Sequence, residues 1–379
     1  MSAQALSQST PLRVLLATAR YFPYMGGTET HVYEVARRLA QRNVQVTVLT
    51  TDPCGQLADE EEIEGVHVRR VRSWPAKDDY YFAPAIYRIV AEGGWDVVHC
   101  QGCHTFVPPL AMLAALRTKI PYILTFHLGG HSSRLRTLLR GSQWRLLSPL
   151  FSRAARLVAV SQFEARFFQE RLNVPPDRFV FIPNGSNLPP IQNGPAGNQS
   201  ETVITSIGRL ERYKGHHRVI AALPWVIEEQ PDVRLRILGS GPHEAALRQQ
   251  ALDSGVAERV EIGAIPATDR QGMAQALSRS ALVTLFSESE SNPVAVMEAV
   301  AMGRSVLVAD TTGLRELAER GLVRAIPLES SDQEVAQAIL SQLRHPISPP
   351  ALKLPTWDGC ATELMSVYQA VARRETCAS

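Results

Sequence analysis

The stretch Leu282-Val-Thr-Leu-Phe286-Ser-Glu-Ser-Glu290-Ser-Asn292-Pro-Val-Ala-Val-Met-Glu298-Ala-Val-Ala-Met-Gly303 reads as a buried strand, a polar loop and a short helix. Asn292 suits the position before the helix, Pro293 its first turn, and Gly303 its end. Between them the helix is apolar all round, with Glu298 as its one charge, so it is expected to be buried. An unpaired carboxylate there would cost several kcal/mol. Glu298 therefore needs a partner. The vicinal hydroxyls of a ribose suit it, and a core arginine is the plainer alternative. The free N–H groups of the segment from Ser291 through Asn292 and Pro293 to Val294, at the helix start, read as an anion site. Glu290 stands before it, at the mouth of a cleft.

Working outward, the same strand–helix alternation fills the chain. Apolar runs at 13–18, 44–50, 96–99, 122–126, 157–160 and 179–182 alternate with helically spaced segments such as 28–41, 105–116 and 162–172. A Pro-, Gly- and Asn-rich stretch interrupts them, and the alternation restarts at 202. The reading is an α/β protein of two Rossmann-like, doubly wound domains, 11–185 and 202–355, joined by a linker at 186–201. A last helix, 356–375, is expected to pack back on the first domain. Ligands of such sheets sit at the carboxyl ends of the strands, so the functional residues are expected in the loops there.

Three loops qualify. Strand 202–207 ends in Gly208-Arg209-Leu-Glu-Arg-Tyr-Lys214-Gly215, where Gly208 permits close backbone approach and Arg209 and Lys214 bring two cations. Such charges would stabilise a diphosphate as it leaves. Gly26 and Gly27 close the first strand and open the first long helix without a dinucleotide fingerprint. His127 follows strand 122–126 and precedes Gly129-Gly130, where it can reach into a cleft. A core or capping role is the plainer alternative for a lone histidine.

Glu290 and Glu298, spaced by seven residues and followed by Ala-x-Ala-x-Gly, resemble the signature of retaining glycosyltransferase family 4, of GT-B fold. The resemblance covers nearly the whole chain. It implies that Glu290 touches hydroxyls of a donor sugar, and that Glu298 holds the nucleotide's ribose. It implies that Arg209, Lys214 and the Gly26-Gly27 loop lie near the diphosphate, and that the backbone of Ile265, in Gly263-Ala-Ile265-Pro266, meets the nucleobase. Thr125-Phe126-His127 matches a Thr-x-His segment whose histidine lies against the donor sugar. Where the family has Phe-Gly, this chain has Asn292-Pro293, which changes the cap chemistry and bears on sugar preference. The implied catalytic set is His127, Glu290, Arg209 and Lys214. The expected reaction moves a hexosyl unit from a nucleotide-diphosphate sugar, UDP by default, to a small-molecule, glycan or lipid hydroxyl. No metal and no cofactor is expected. An epimerase of the same fold and a non-catalytic nucleotide-sugar-binding regulator are the alternatives.

Composition narrows the classes. The 379 residues are 45% hydrophobic and carry a net charge of +2, which suits globular domains and gives no basic footprint for nucleic acid. No run approaches the ~18 apolar residues of a membrane span. The first eleven residues lack signal-peptide regions, and the five cysteines read as reduced thiols in a cytosolic setting. Cys100-Gln-Gly-Cys103-His104 matches a haem-attachment pattern by chance, and Asn184-Gly-Ser186 is a chance sequon. Between 128 and 163 six arginines and no acidic residue intersperse with leucines. This stretch, 134–156 above all, reads as a solvated face, a peripheral contact with an anionic inner membrane face, or a wall for a phosphorylated acceptor.

Overall fold

The computed structural model describes residues 10–24, 26–75, 80–129, 134–172, 174–191, 201–266, 268–347 and 353–376. It is an α/β protein with two sheets. The first comprises β1 (Arg13–Ala17), β2 (Gln45–Thr51), β3 (Glu60–Ile63), β4 (Val66–Val71), β5 (Val97–Gln101), β6 (Tyr122–Thr125), β7 (Arg156–Ala159) and β8 (Phe179–Phe181). Their order is β3-β4-β2-β1-β5-β6-β7-β8, parallel except for β3. Its helices are α1 (Gly27–Ala40), α2 (Ala85–Ala91), α3 (Val107–Arg117), α4 (Arg134–Phe151) and α5 (Gln162–Arg171). The second sheet comprises β9 (Thr202–Ile207), β10 (Val233–Leu238), β11 (Val260–Gly263), β12 (Leu282–Leu285), β13 (Ser305–Ala309) and β14 (Arg324–Ile326), all parallel, in the order β11-β10-β9-β12-β13-β14. It carries α6 (His216–Glu229), α7 (Glu244–Asp253), α8 (Arg270–Ser278), α9 (Val294–Ala301), α10 (Thr312–Glu319) and α11 (Asp332–Arg344). The last helix is α12 (Trp357–Thr376).

Strands β1, β5 and β12 are buried on both faces along nearly their whole length because helices cover both sides of a parallel sheet. The hairpin β3–β4 is absent from the sequence reading above. Its turn, Glu64-Gly65, has φ of +48° and +79°, the double positive φ of a tight hairpin turn. The strand Glu60-Glu-Glu-Ile63 is an acidic, exposed edge, so it lacks the apolar run by which the others were found.

Helix α12 leaves the second domain and packs on α1 and β5. Trp357, Leu364, Tyr368 and Val371 belong to the same buried cluster as Val14, Val32, Val35 and Val97. The Tyr368 hydroxyl lies 2.6 Å from His99 Nδ1. In α4, Trp144, Leu147 and Leu150 pack on the first domain's core while Leu146 is 80% exposed. The side chains of Arg134, Arg136 and Arg140 fall outside the described residues. Among the described residues no helix is long and apolar enough to cross a membrane.

Candidate functional site between the two sheets

The loop after β9 turns at Gly208, whose φ of +153° suits glycine, and Gly239 packs so tightly on it that a Cβ there would lie 1.9 Å from the Gly208 carbonyl. This close approach directs the following residues into the cleft. Arg209 bonds Glu211 at 3.0 Å and the Tyr213 hydroxyl at 3.2 Å. Lys214 Nζ lies 2.5 Å from Glu290 Oε1, and both side chains are largely enclosed. Burial pulls the Lys214 ammonium down, and the Glu290 carboxylate more than offsets this, leaving Lys214 above its ordinary value. Glu290 is therefore neither solvated nor at an open mouth: it is buried and paired.

Glu298 is 2% exposed and pairs through Oε1 with Arg270 at the start of α8. This is the plainer of the two partners considered from the sequence. The need for a partner is met by an arginine, so burial alone no longer argues for a ribose. Arg270 also approaches Glu34 of α1 at 3.8 Å, across the domain boundary. Burial pushes the Glu298 carboxyl up to about 7; Arg270 pulls it down and Glu34 adds to the rise.

The helix start differs from its sequence reading. Asn292 does not cap α9. Pro293 holds the cap position with an extended backbone and no side-chain bond, and the helix begins at Val294. Proline has no N–H, so Pro293 gives nothing to an anion cradle. The Val294 side chain is packed in the first domain's apolar cluster. Ser291 is buried and its hydroxyl lies 3.0 Å from that of Ser161 in the first domain. Ile265 follows β11 and packs partly buried on the second domain's core, five positions before Arg270.

The first domain supplies the facing wall. Gly26 precedes α1, and a Cβ on it would lie 4.0 Å from Arg209 Cδ, so this loop faces the cationic loop directly. A Cβ on Gly27 would meet nothing within 4 Å. His127 has a left-handed backbone, φ +49°, and its Nε2 lies 2.8 Å from Gln101 Oε1. Burial, with His31, His99 and His104 nearby, holds it well below the ordinary histidine range, so the ring is neutral at pH 7. Gly129 forms an antiparallel bridge with Glu290, which brings the His127 loop beside the Lys214–Glu290 pair. Glu164 accepts from the N–H groups of Leu128 (2.6 Å) and Val160 (2.9 Å) and so fixes that loop from below. Among the described residues no group of three or more His, Cys, Asp or Glu side chains could hold a metal ion. Cys100 and Cys103 are buried, and burial pushes the Cys100 thiol up, away from reactivity.

Residues 25–188 match the family described as Glycosyltransferase Family 4, and residues 191–353 match the Glycosyl transferases group 1 description. The chain belongs to glycosyltransferase family 4. As such it is an enzyme that transfers glycosyl groups. It is 27% identical to the phosphatidyl-myo-inositol mannosyltransferase of Mycobacterium leprae, covering 95% of this chain and 97% of that one. It is 25% identical to the GDP-mannose:cellobiosyl-diphosphopolyprenol alpha-mannosyltransferase of Xanthomonas oryzae pv. oryzae, over 79% of each chain. Its fold matches the sucrose-phosphate synthase of Thermosynechococcus elongatus with a TM-score of 0.78 and 18% identity, covering 97% of this chain and 100% of that one. In this family 4 chain Arg270, Glu164, Ser161, Gln101 and His31 also line or brace the site. Ser161, a residue type suited to a helix start, caps α5 by accepting from the Glu164 N–H at 3.0 Å. The other four gave no signal, because their roles arise from loop placement rather than spacing.

Proposed function

We propose that the chain transfers a hexosyl unit from a nucleoside-diphosphate sugar to a hydroxyl acceptor with retention of anomeric configuration. The observation that carries this reading is the pair of cations on one strand-end loop, Arg209, which stands against Gly26 of the first domain, and Lys214, which pairs with Glu290. In this reading the bond from the anomeric carbon to the diphosphate oxygen breaks, and Arg209 and Lys214 meet the charge that develops without a metal ion. The acceptor oxygen bonds to the anomeric carbon on the face the diphosphate leaves. Its proton passes to the departing phosphate oxygen. His127, neutral, orients the sugar and takes no proton. Glu290, held by Lys214, accepts from sugar hydroxyls. The ribose shares Glu298 with Arg270 through Oε2, which carries no bond among the described residues. UDP is the default carrier that the family resemblance implies. GDP-mannose is a second reading, favoured by the name of the Xanthomonas relative.

The test is nucleotide release and product analysis with UDP-, GDP- and ADP-hexoses. Slow release of one nucleotide with free sugar of retained configuration is expected. Binding without release makes the chain a regulator, and an altered sugar still on its nucleotide makes it an epimerase; either result overturns the proposal.

A further inference from the structure

Asn184 entered the sequence reading only as the first residue of a chance sequon. In the structure it is 3% exposed and sits where the chain first leaves the first domain. Its Oδ1 lies 2.8 Å from Nδ1 of His31, and its Nδ2 donates to the main-chain carbonyl of Asn292 at 3.1 Å. His31 is fully buried on α1, and its ring meets that of His127 edge-on with centroids 4.8 Å apart. One amide therefore touches the histidine wall of the first domain and the donor loop of the second.

The position is held rigidly. A Cβ on Gly185 would lie 2.3 Å from the Trp357 nitrogen. Ser186 gives both its N–H (3.0 Å) and its hydroxyl (2.8 Å) to the Pro355 carbonyl, and the Trp357 N–H bonds Asn187 Oδ1 at 2.9 Å. The two segments that cross between the domains are thus tied to each other beside Asn184. Only a carboxamide of this length accepts from a ring N–H on one edge and donates to a carbonyl on the other. Since its Oδ1 can only accept, His31 carries its proton on Nδ1. Burial keeps that ring neutral, which leaves Nε2 bare and enclosed.

We propose that Asn184 is a positioning residue for glycosyl transfer: its amide couples the His31–His127 stack to the loop that carries Glu290 and Asn292. It touches no reacting atom. It sets the distance between the two walls, and errors of about 1 Å in such placement cost on the order of 10²-fold in rate. The proposal rests on the donor reading above.

The experiment compares Asn184→Asp and Asn184→Ala with the unaltered full chain. Aspartate keeps the acceptor for His31 and loses the donor to Asn292, so it serves should the alanine variant fail to fold. Three quantities are read: kcat, donor KM, and amide hydrogen exchange in a peptide spanning 288–297. In folded Asn184→Asp, kcat is expected to fall about 30-fold with KM changed less than about threefold. Exchange should quicken in 288–297 and not in α6 or α11. A kcat within about threefold of the unaltered chain, a KM that worsens in step with kcat, or unchanged exchange in 288–297 overturns the proposal. If the unaltered chain turns over no nucleotide sugar, the donor reading fails instead, and the exchange measurement alone decides the role of Asn184.

Discussion

Glu290 and Glu298 lie in one segment, each buried and each paired with a cation, yet their surroundings differ. Glu290 is on a loop and takes its partner, Lys214, from the neighbouring strand end of the same domain. Glu298 is inside a helix and takes its partner, Arg270, from the start of α8, and that arginine also reaches Glu34 of the other domain. Near neutral pH the first pair holds a charged ammonium. The second holds a carboxyl that burial has pushed up to about 7. The difference teaches that an ion pair in a cleft has two meanings. One pair keeps its cation charged, as the proposed role at a leaving diphosphate requires. The other balances a buried acid, and a hydroxyl donor there shares the carboxylate with an arginine and competes with a proton.

The largest effect expected from this contrast is at Lys214. Lys214→Ala should lower kcat by about 10²–10³-fold, as removal of a preorganised donor does. It should also lower the melting temperature, because Glu290 is left buried without its cation. Steady-state rates and thermal melts check both; an unchanged kcat would erase the distinction between the pairs. A smaller effect is expected at the other end. Glu298→Ala should weaken nucleoside-diphosphate binding about 30-fold, the scale of hydrogen bonds to a charged group, with kcat at saturation less altered. Calorimetry with UDP and GDP measures it. Equal losses in kcat and affinity would mean that Glu298 acts on the reacting sugar instead.

The smallest effect is a pH dependence. Only ionised Glu298 accepts two hydroxyl donors, so nucleotide affinity should rise up to about tenfold from pH 6 to pH 8 through this group, and that contribution should vanish in Glu298→Ala. The sign for stability is opposite. The folded carboxyl binds its proton more tightly than the unfolded one, from 4.5 to about 7. Its contribution is complete below pH 4.5 and is lost as pH rises through 7, so the ligand-free chain should lose stability from this group across that window. Melting curves of the unaltered chain and Glu298→Gln separate it from other titrations.

Much of this was legible from the residues. The apolar runs that become β1, β5 and β12 announce parallel strands because both faces are covered. The Gly208-Arg209 and Lys214-Gly215 dipeptides mark a strand-end loop with charge to place. The partner of Glu298 was not legible. Arg270 precedes Glu298 by 28 positions, and only the arrangement of the loops after β11 and β12 brings them together. His31 and Asn184 are 153 positions apart, and neither has a spacing that predicts the other. The hairpin β3–β4 was missed because its edge strand is acidic, although Glu64-Gly65 and the alternation Val66-His-Val68-Arg carried the signal.

The return of α12 to the first sheet has a consequence for how the molecule is made. Trp357, Leu364, Tyr368 and Val371 fill a core most of whose other members lie more than two hundred residues earlier in the chain. As the nascent chain emerges, the amino-terminal half keeps an apolar face open until α12 has been translated. The part begun first is completed last, and a ribosome that stalls near residue 350 would leave that face bare to the cell's chaperones.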